Sequence, residues 1–548
     1  MKRLHLLTIS TGIFFLLIQT AVCGQSLPTI KRVQFKKDSF NILQYGAVPD
    51  GSTLNTKSIT AAIDACNKKG GGTIVIPAGN WISGPLVLKS NTNLYLASNA
   101  LLQFTKDFTE YPLVAGNWEG LPAVRNQSPL SASNAENIAI TGNGIIDGGG
   151  DAWRAVKKDK LTESQWKTLT GSGGLLSDDK KTWYPTEQSF KGAQTKDAGV
   201  LKDGKTIRDF EDIKSFLRPN LLVLTNCKRI LLEGVTFQNS PAWCLHPLMC
   251  EDLTINKVYV KNPWYAQNGD GIDLESCKNV LLENSTFDVG DDGICIKSGR
   301  DAEGRKRGLP TENVIVRKCI VYHAHGGFVI GSEMSGGARN IFVNDCSFIG
   351  TDIGLRFKTT RGRGGVVEKI YIKNINMKDI AGEAILFDMY YMAKDPVALA
   401  GEKRELPKTE FKQVDESTPV FRNFRISDVY CSGASKAIFI RGLPEMHVTD
   451  IVLQNMVLQA DKGIDIQEAE NIQFKNIKVM AASNNPVIDL VQSSRISFDK
   501  IVYKTGAEVL LRVSGDRVKK IDVINTDTSG SKEKLAIELG ADGKEVKM

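Results

Sequence analysis

The sequence predicts an all-β protein: a right-handed parallel β-helix, a solenoid of about ten coils with a short N-terminal capping helix and loop insertions. Three observations predict it. Short runs of alternating apolar residues recur through the middle and C-terminal parts with a period in the twenties, they share a lead-in, and no helical pattern accompanies them. Repeats of that length are solenoids. The Leu/Asn consensus ladder of leucine-rich repeats is missing, which leaves a β-helix whose coils stack about 4.8 Å apart.

Taken in order, the chain begins with Lys2 and Arg3, an apolar stretch from Leu6 to Val22, and small residues around Cys23 and Gly24. That pattern is a secretory signal over residues 1–24, with an uncleaved membrane anchor as the alternative. A lipoprotein reading through Cys23 is weaker, because Thr20-Ala21-Val22 lacks a small residue just before the cysteine. No second long apolar segment follows. Residues 25–548 then form one β-helix domain, secreted or periplasmic and soluble, with no membrane contact beyond the signal. Residues 55–69 place Ile59, Ala62, Ile63 and Cys66 at helical spacing. A helix there would cap the open end of the solenoid, where strand edges are otherwise unpaired.

The repeats proper include CKRILLEGVTF from Cys227, CEDLTINKVYV from Cys250 and CKNVLLENSTF from Cys277, starting 23 and 27 residues apart. ENVIVRKCIVY from Glu312, RNIFVNDCSFI from Arg339 and EKIYIKNINM from Glu368 continue the series. Within each run the alternation switches register at an Asn, Asp or Gly, which reads as two short strands joined by a bend. Cys227, Cys250 and Cys277 share a column position and are expected to stack inside. Three segments break the period: 151–217, 299–311 and 388–420.

Gross numbers agree. A chain of 548 residues is too long for one ordinary globular core but suits an elongated repeat. The formal charge of +7 is mild and no dense Lys/Arg block suggests nucleic acid; an anionic substrate is compatible. Of the ten cysteines none forms a CxxC pair, so zinc is disfavoured and small buried hydrophobes are expected. One disulfide is possible in an oxidising compartment, without a deducible connectivity.

The chemistry sits ahead of successive repeats. NGDGID carries Asp270 and Asp273, one coil later come Asp291 and Asp292, then His323 and His325, then Arg356, Lys358, Arg361 and Arg363. Arg356 and Lys358, two apart on a strand, point to the same side. Stacking gathers carboxylates at one end of a patch and cations at the other. Turns, structural histidines and solvated faces explain each piece singly, but not their joint occurrence at one phase of consecutive coils. Calcium binding lacks a spaced series of oxygen ligands. Acid/base work fits better: inverting glycoside hydrolysis needs a protonated and an ionised carboxyl roughly 6.5–9.5 Å apart, and crowding keeps one of a pair protonated. The cations would hold a sugar carboxylate.

These residues resemble the polygalacturonases of glycoside hydrolase family 28, within the pectin-lyase-like superfamily. The ordered motifs stand here as Asn268-Gly269-Asp270, Asp291-Asp292, His325-Gly326 and Arg356-Phe357-Lys358, and FNILQYGAVPDG from Phe40, GGGTIVIPAG from Gly70 and ITGNGIIDGGG from Ile140 look like the family's opening. The resemblance covers roughly residues 38–530. It implies that Asp291 is the general acid, that Asp270 and Asp292 hold and deprotonate the attacking water, and that His325 tunes the acid. It implies that Arg356 and Lys358, with Asn268 and Tyr391, bind substrate, that Phe357 points inward, and that no metal or other cofactor is needed. The expected partner is a pectic polysaccharide or oligogalacturonide, met by a monomer. Because the histidine and the Arg-x-Lys pair are present, galacturonate is favoured over rhamnogalacturonan fragments at the cleavage site. The insertions 151–217 and 388–420 suggest exo action, with endo action as the alternative. Rival readings are a calcium-dependent, β-eliminating pectate lyase and a non-catalytic β-helix that binds carbohydrate.

Overall fold

The computed structural model describes residues 27–202, 204–393 and 410–548. The expected signal and the middle of the 388–420 insertion lie outside the described residues. The chain forms a parallel β-helix in which each coil contributes to three parallel ladders. In one coil the three strands are Lys278–Glu283, Thr286–Asp288 and Asp292–Lys297. The sequence repeat marks the first two.

The bend between those two strands explains the Asn, Asp and Gly of the repeat. Asn284, Asp345 and Asn374 take φ of 52°, 57° and 56°, the left-handed region that Asn and Asp tolerate better than other side chains. The bends also stack. Asn284 Nδ2 donates to Asn256 Oδ1 at 2.9 Å, and Asn374 Nδ2 to Asp345 Oδ1 at 2.6 Å. Each coil thus satisfies the polar bend of the next.

The interior is an aliphatic column. Ile230, Leu253, Val280, Val314, Ile341 and Ile370 are partners in consecutive coils, none more than 1% exposed. Each such side chain stabilises the stack by about 1.5–3 kcal/mol relative to leaving it in water. All nine described cysteines are free and buried. Cys250 and Cys277 donate to the carbonyls of Leu224 and Pro247, each at 3.2 Å, as small stacked interior residues should.

The third ladder positions the site. Five of its strands matter: β1 (Leu245–Leu248), β2 (Ile272–Glu275), β3 (Asp292–Lys297), β4 (Gly326–Ile330) and β5 (Leu355–Lys358). Leu245, Ile272, Ile294, Phe328 and Leu355 are successive partners and fully buried. The residues between them face outward, under a covering of loops.

The expected N-terminal helix spans Thr56–Lys68 and buries Ile59, Ala62, Ile63 and Cys66, packing beside the strands Ser39–Asn41 and Gly72–Ile76. The 151–217 insertion holds helices Glu163–Gly171 and Glu187–Gln194 and a small antiparallel sheet, with Val156, Trp166 and Trp183 as its core. Residues 299–311 contain a short helix, Asp301–Arg307. One element has no counterpart in the sequence reading: an antiparallel hairpin, Leu113–Trp118 and Leu121–Asn126, standing off the solenoid. Among the described residues no helix is long and apolar enough to cross a membrane.

Candidate active site

The ordered motifs fall at the mouths of successive third-ladder strands. Asn268 and Asp270 precede β2, Asp291 immediately precedes β3, and Asp292 opens it. His325 immediately precedes β4, and Arg356 and Lys358 flank Phe357 on β5. Phe357 points inward as expected, fully buried with its ring 4.5 Å from Phe387. The outward side chains, with Tyr391, line one cavity of about 520 Å³. Gly326 is required beside His325, since a Cβ there would come within 2.5 Å of Val329 Cγ2 and 3.3 Å of the Arg356 side chain.

Three carboxylates meet at the cavity floor. Asp270, Asp291 and Asp292 each offer an oxygen within 4.8 Å of the other two. That is closer than the roughly 6.5–9.5 Å separation expected for two carboxyls of an inverting pair. The reason is that adjacent coils are one strand spacing apart, and the turn before β3 aims both Asp291 and Asp292 the same way. Two hydrogen bonds of about 2.8 Å meeting at a tetrahedral angle span about 4.6 Å, so one water fits between two of these carboxylates.

Their environments differ. Asp292 is only 2% exposed at its side chain, and its two oxygens receive Arg356 Nη1 at 3.1 Å and Lys358 Nζ at 2.7 Å. Burial pushes its carboxyl up, but Lys358, Arg356 and Lys297 more than offset that and hold it well below the usual range. Asp270 is also buried, with Oδ1 unpartnered. Burial first, then the charges of Asp291 and Asp273, push its carboxyl well above the usual range. Asp291 is the accessible member, 18% exposed. It is oriented by three donors: His325 Nδ1 at 3.1 Å, the Asp292 N–H at 2.9 Å and the Asn268 N–H at 3.1 Å. The bond to Asp291 raises the His325 imidazole above its ordinary value.

The remaining motif residues are also placed. The Asn268 side-chain oxygen accepts from Arg218 Nη2 at 2.9 Å, so its contact with Asp291 is through the backbone. The Tyr391 ring lies 4.9 Å from Lys358 Nζ and 5.7 Å from the Arg356 guanidinium. Asp273 lies buried beneath Lys297, 3.6 Å from its Nζ. Arg363 joins the cavity wall and pairs with Asp301 at 2.5 Å. His323 and Arg361 lie outside the cavity, paired with Asp288 and Glu445.

Sequence reasoning missed several lining residues. Lys297, at the end of β3, is 4% exposed and contacts Glu333 at 2.9 Å. Trp243 lies 4.9 Å beneath its ammonium. Burial would raise the Glu333 carboxyl, but Lys297 and Arg363 bring it down to about 2. Glu119 and Arg300 also line the cavity. For Lys297 the signal was its phase on β3, out of step with the inward Ile294 and Ile296; Trp243 and Glu119 carried none.

The carboxylate trio is also near enough to share a cation. Calcium takes 6–8 oxygen ligands, however, and would have to compete at Asp292 with two fixed side-chain cations. The set suits proton transfer better: one accessible carboxyl, one buried and ionised, one buried and raised.

Comparison with known proteins agrees. Residues 201–426 match the model of glycosyl hydrolases family 28, and residues 39–209 match that of rhamnogalacturonase A/epimerase, pectate lyase-like proteins. The chain is 29% identical over 450 residues to the exo-poly-alpha-D-galacturonosidase of Dickeya chrysanthemi, covering 80% of this chain and 70% of that one. It is 27% identical over 436 residues to a probable polygalacturonase of Vitis vinifera, covering 78% and 75%. The crystal structure of a hyperthermoactive exopolygalacturonase from Thermotoga maritima superposes with a TM-score of 0.66 and 30% identity over 83% of this chain and 94% of that chain. With that breadth of similarity, and with acids and cations gathered in one cavity, the chain belongs to glycosyl hydrolases family 28 and is a glycoside hydrolase.

Proposed function

We propose that the protein hydrolyses α-1,4-galacturonosidic bonds of polygalacturonate or oligogalacturonides outside the cytoplasm, with inversion, releasing galacturonate from the non-reducing end. The observation that carries the reading is the pairing of an accessible carboxyl, Asp291, with a buried carboxylate, Asp292, that two cations keep ionised. The names of the Dickeya and Thermotoga relatives support exo action.

In this reading Asp291 protonates the glycosidic oxygen as the C1–O bond breaks, because of the three acids it alone has room to meet a bulky leaving group. A water held between Asp270 and Asp292 attacks C1 from the opposite face and passes a proton to Asp292. General acid and general base each supply about 10²–10⁴-fold. His325 fixes the acid's orientation. Lys358 spends one of its three N–H donors on Asp292, which leaves donors for a substrate carboxylate. A uronate that draws on Lys358 and Arg356 loosens their hold on Asp292 and strengthens the base when it is needed.

The test is a product time course on de-esterified polygalacturonate with wild type and Asp291→Asn. Galacturonate alone from the earliest points, abolished in the variant, is expected. A ladder of oligomers would reject exo action, and unchanged turnover in the variant would reject Asp291 as the acid.

A further inference from the structure

The outer face of the third ladder carries a second cavity of about 520 Å³, which has no lining residue in common with the catalytic one. Its floor is two rows of register partners from consecutive coils. Ser131, Val223 and His246 form one, and Ser133, Thr225 and Leu248 the other. The hairpin contributes Val114, Arg125 and Asn126.

Arg125 is a buried cation without a counter-ion. It is 9% exposed, and among the described residues no carboxylate pairs with it. The other two buried arginines have acceptors: Arg363 pairs with Asp301 and Glu333, and Arg154 donates to Ser240 O and Asn239 Oδ1. Arg125 has the Trp118 ring, 3.4 Å from its guanidinium carbon, and its Nε finds no acceptor. Burial, then the like charge of Arg218, push its guanidinium well below its ordinary value. A buried cation is costly unless an anion meets it.

Two amides complete the wall. Asn126 Nδ2 donates to the carbonyls of Lys214 and Leu217 at 2.7 and 2.8 Å. Both partners are acceptors, so the amide cannot be turned round, and its Oδ1 is left without a donor. Asn220 Nδ2 lies 3.1 Å from His246 Nδ1, and His246 Nε2 lies 2.9 Å from Glu275 Oε2. The carboxylate draws the imidazole proton to Nε2, so Nδ1 accepts from Asn220, whose Oδ1 is likewise unpartnered. Arg307 Nη1 holds the other oxygen of Glu275 at 2.6 Å, so that charge is already met.

Arg125 therefore needs an anionic acceptor, while Asn126 and Asn220 need donors. A neutral sugar supplies hydroxyls alone, and an inorganic anion supplies charge alone. A uronic acid carries a carboxylate and hydroxyls on one ring. We propose that this cavity is a second, non-catalytic binding site for a uronate, with its carboxylate on Arg125 and its hydroxyls toward Asn126 and Asn220. The choice of galacturonate rests on the activity proposed above; the site itself does not. Free galacturonate and one unit of a galacturonate chain share this chemistry.

Calorimetric titration with galacturonate tests it. Wild type is expected to bind one more equivalent than Arg125→Gln, or to bind that equivalent at least tenfold more tightly, while the two have the same kcat on oligogalacturonides. Ser131→Phe, which fills the floor and leaves Arg125 in place, is expected to lose the same equivalent. Galactose and sulfate should not displace it. Equal binding by wild type and both folded variants overturns the proposal, and so does displacement by sulfate, which would mark an anion site blind to sugars. Glucuronate bound there in preference to galacturonate keeps the site and counts against the galacturonate reading. Loss of the site with monomer release from polygalacturonate intact overturns the site alone. Titration of Asp291→Asn with trigalacturonate separates the two sources: tighter binding than the monomer at this site identifies a chain, and equal binding identifies the free sugar.

Discussion

The Lys358 ammonium lies 2.7 Å from the Asp292 carboxylate, and both residues are at least 95% buried. In the proposed reaction one cation would serve two anions in turn: the base and the carboxylate of the sugar.

This double duty predicts the behaviour of Lys358→Met. Asp292 is held low by its cations, so its contribution is present above the ordinary aspartate value of about 3.9 and is lost as pH falls through the depressed one. Removing Lys358 brings the Asp292 carboxyl back up. The acid limb of kcat/KM should move to higher pH, and KM for galacturonate chains should rise far more than for neutral sugars. An unmoved limb would separate Lys358 from the base.

Asp291→Asn and Asp292→Asn should each lower kcat by about 10²–10⁴-fold; the melting temperature should change little for the part-exposed Asp291 but fall for Asp292, whose loss leaves Lys358 and Arg356 buried without their counter-charge. ¹H NMR on wild type should show the anomer opposite to that of the cleaved bond as the first product. The retained anomer would mean that the 4.8 Å spacing of the acids serves a covalent intermediate rather than a shared water.

His325 is raised by its bond to Asp291. A raised histidine contributes stability that is full below about 6.5, its ordinary value, and lost as pH rises through the raised one. The melting-temperature gap between wild type and His325→Gln should accordingly be widest near pH 5–6 and close toward pH 9. A constant gap would mean the imidazole acts by packing alone.

Lys297 is the buried counter-ion of Glu333 and lies 3.6 Å from Asp273, whose carboxyl burial pushes well above the usual range. Lys297→Met strands the Glu333 carboxylate, a loss of about 3–5 kcal/mol for a buried pair broken on one side. Lys297→Met/Glu333→Gln should recover part of the lost melting temperature. No recovery would show that Lys297 matters through Trp243 and the cavity instead.

Excess chelator should leave activity on polygalacturonate unchanged, because Lys358 and Arg356 already supply the positive charge that Asp292 needs. Loss of activity restored by calcium would point to a cation shared by the three aspartates.

Much of this was legible in the chain itself. The column from Ile230 to Ile370 follows from alternation at a fixed period, and Asn284 and Asn374 announce their bends because Asn favours that backbone, although Lys257 and Lys318 adopt it at the equivalent bends without announcing them. Helix Thr56–Lys68 follows from the spacing of its apolar residues. The gathering of Asp270, Asp291, His325 and Arg356 was also readable, because in a solenoid residues at one phase of successive coils must stack. Only the tertiary structure decided what depends on contacts without a period. Glu119 meets Arg300 and Trp118 meets Trp243 from far along the chain. The third ladder is short, and its outward positions are buried by loops rather than marked by alternation. The spacing of the acids and the pairing of Asp292 with two cations were likewise set by how one turn aims its side chains. Period fixes which residues are neighbours between coils, but the direction of a turn and the landing place of a hairpin depend on packing across the whole fold.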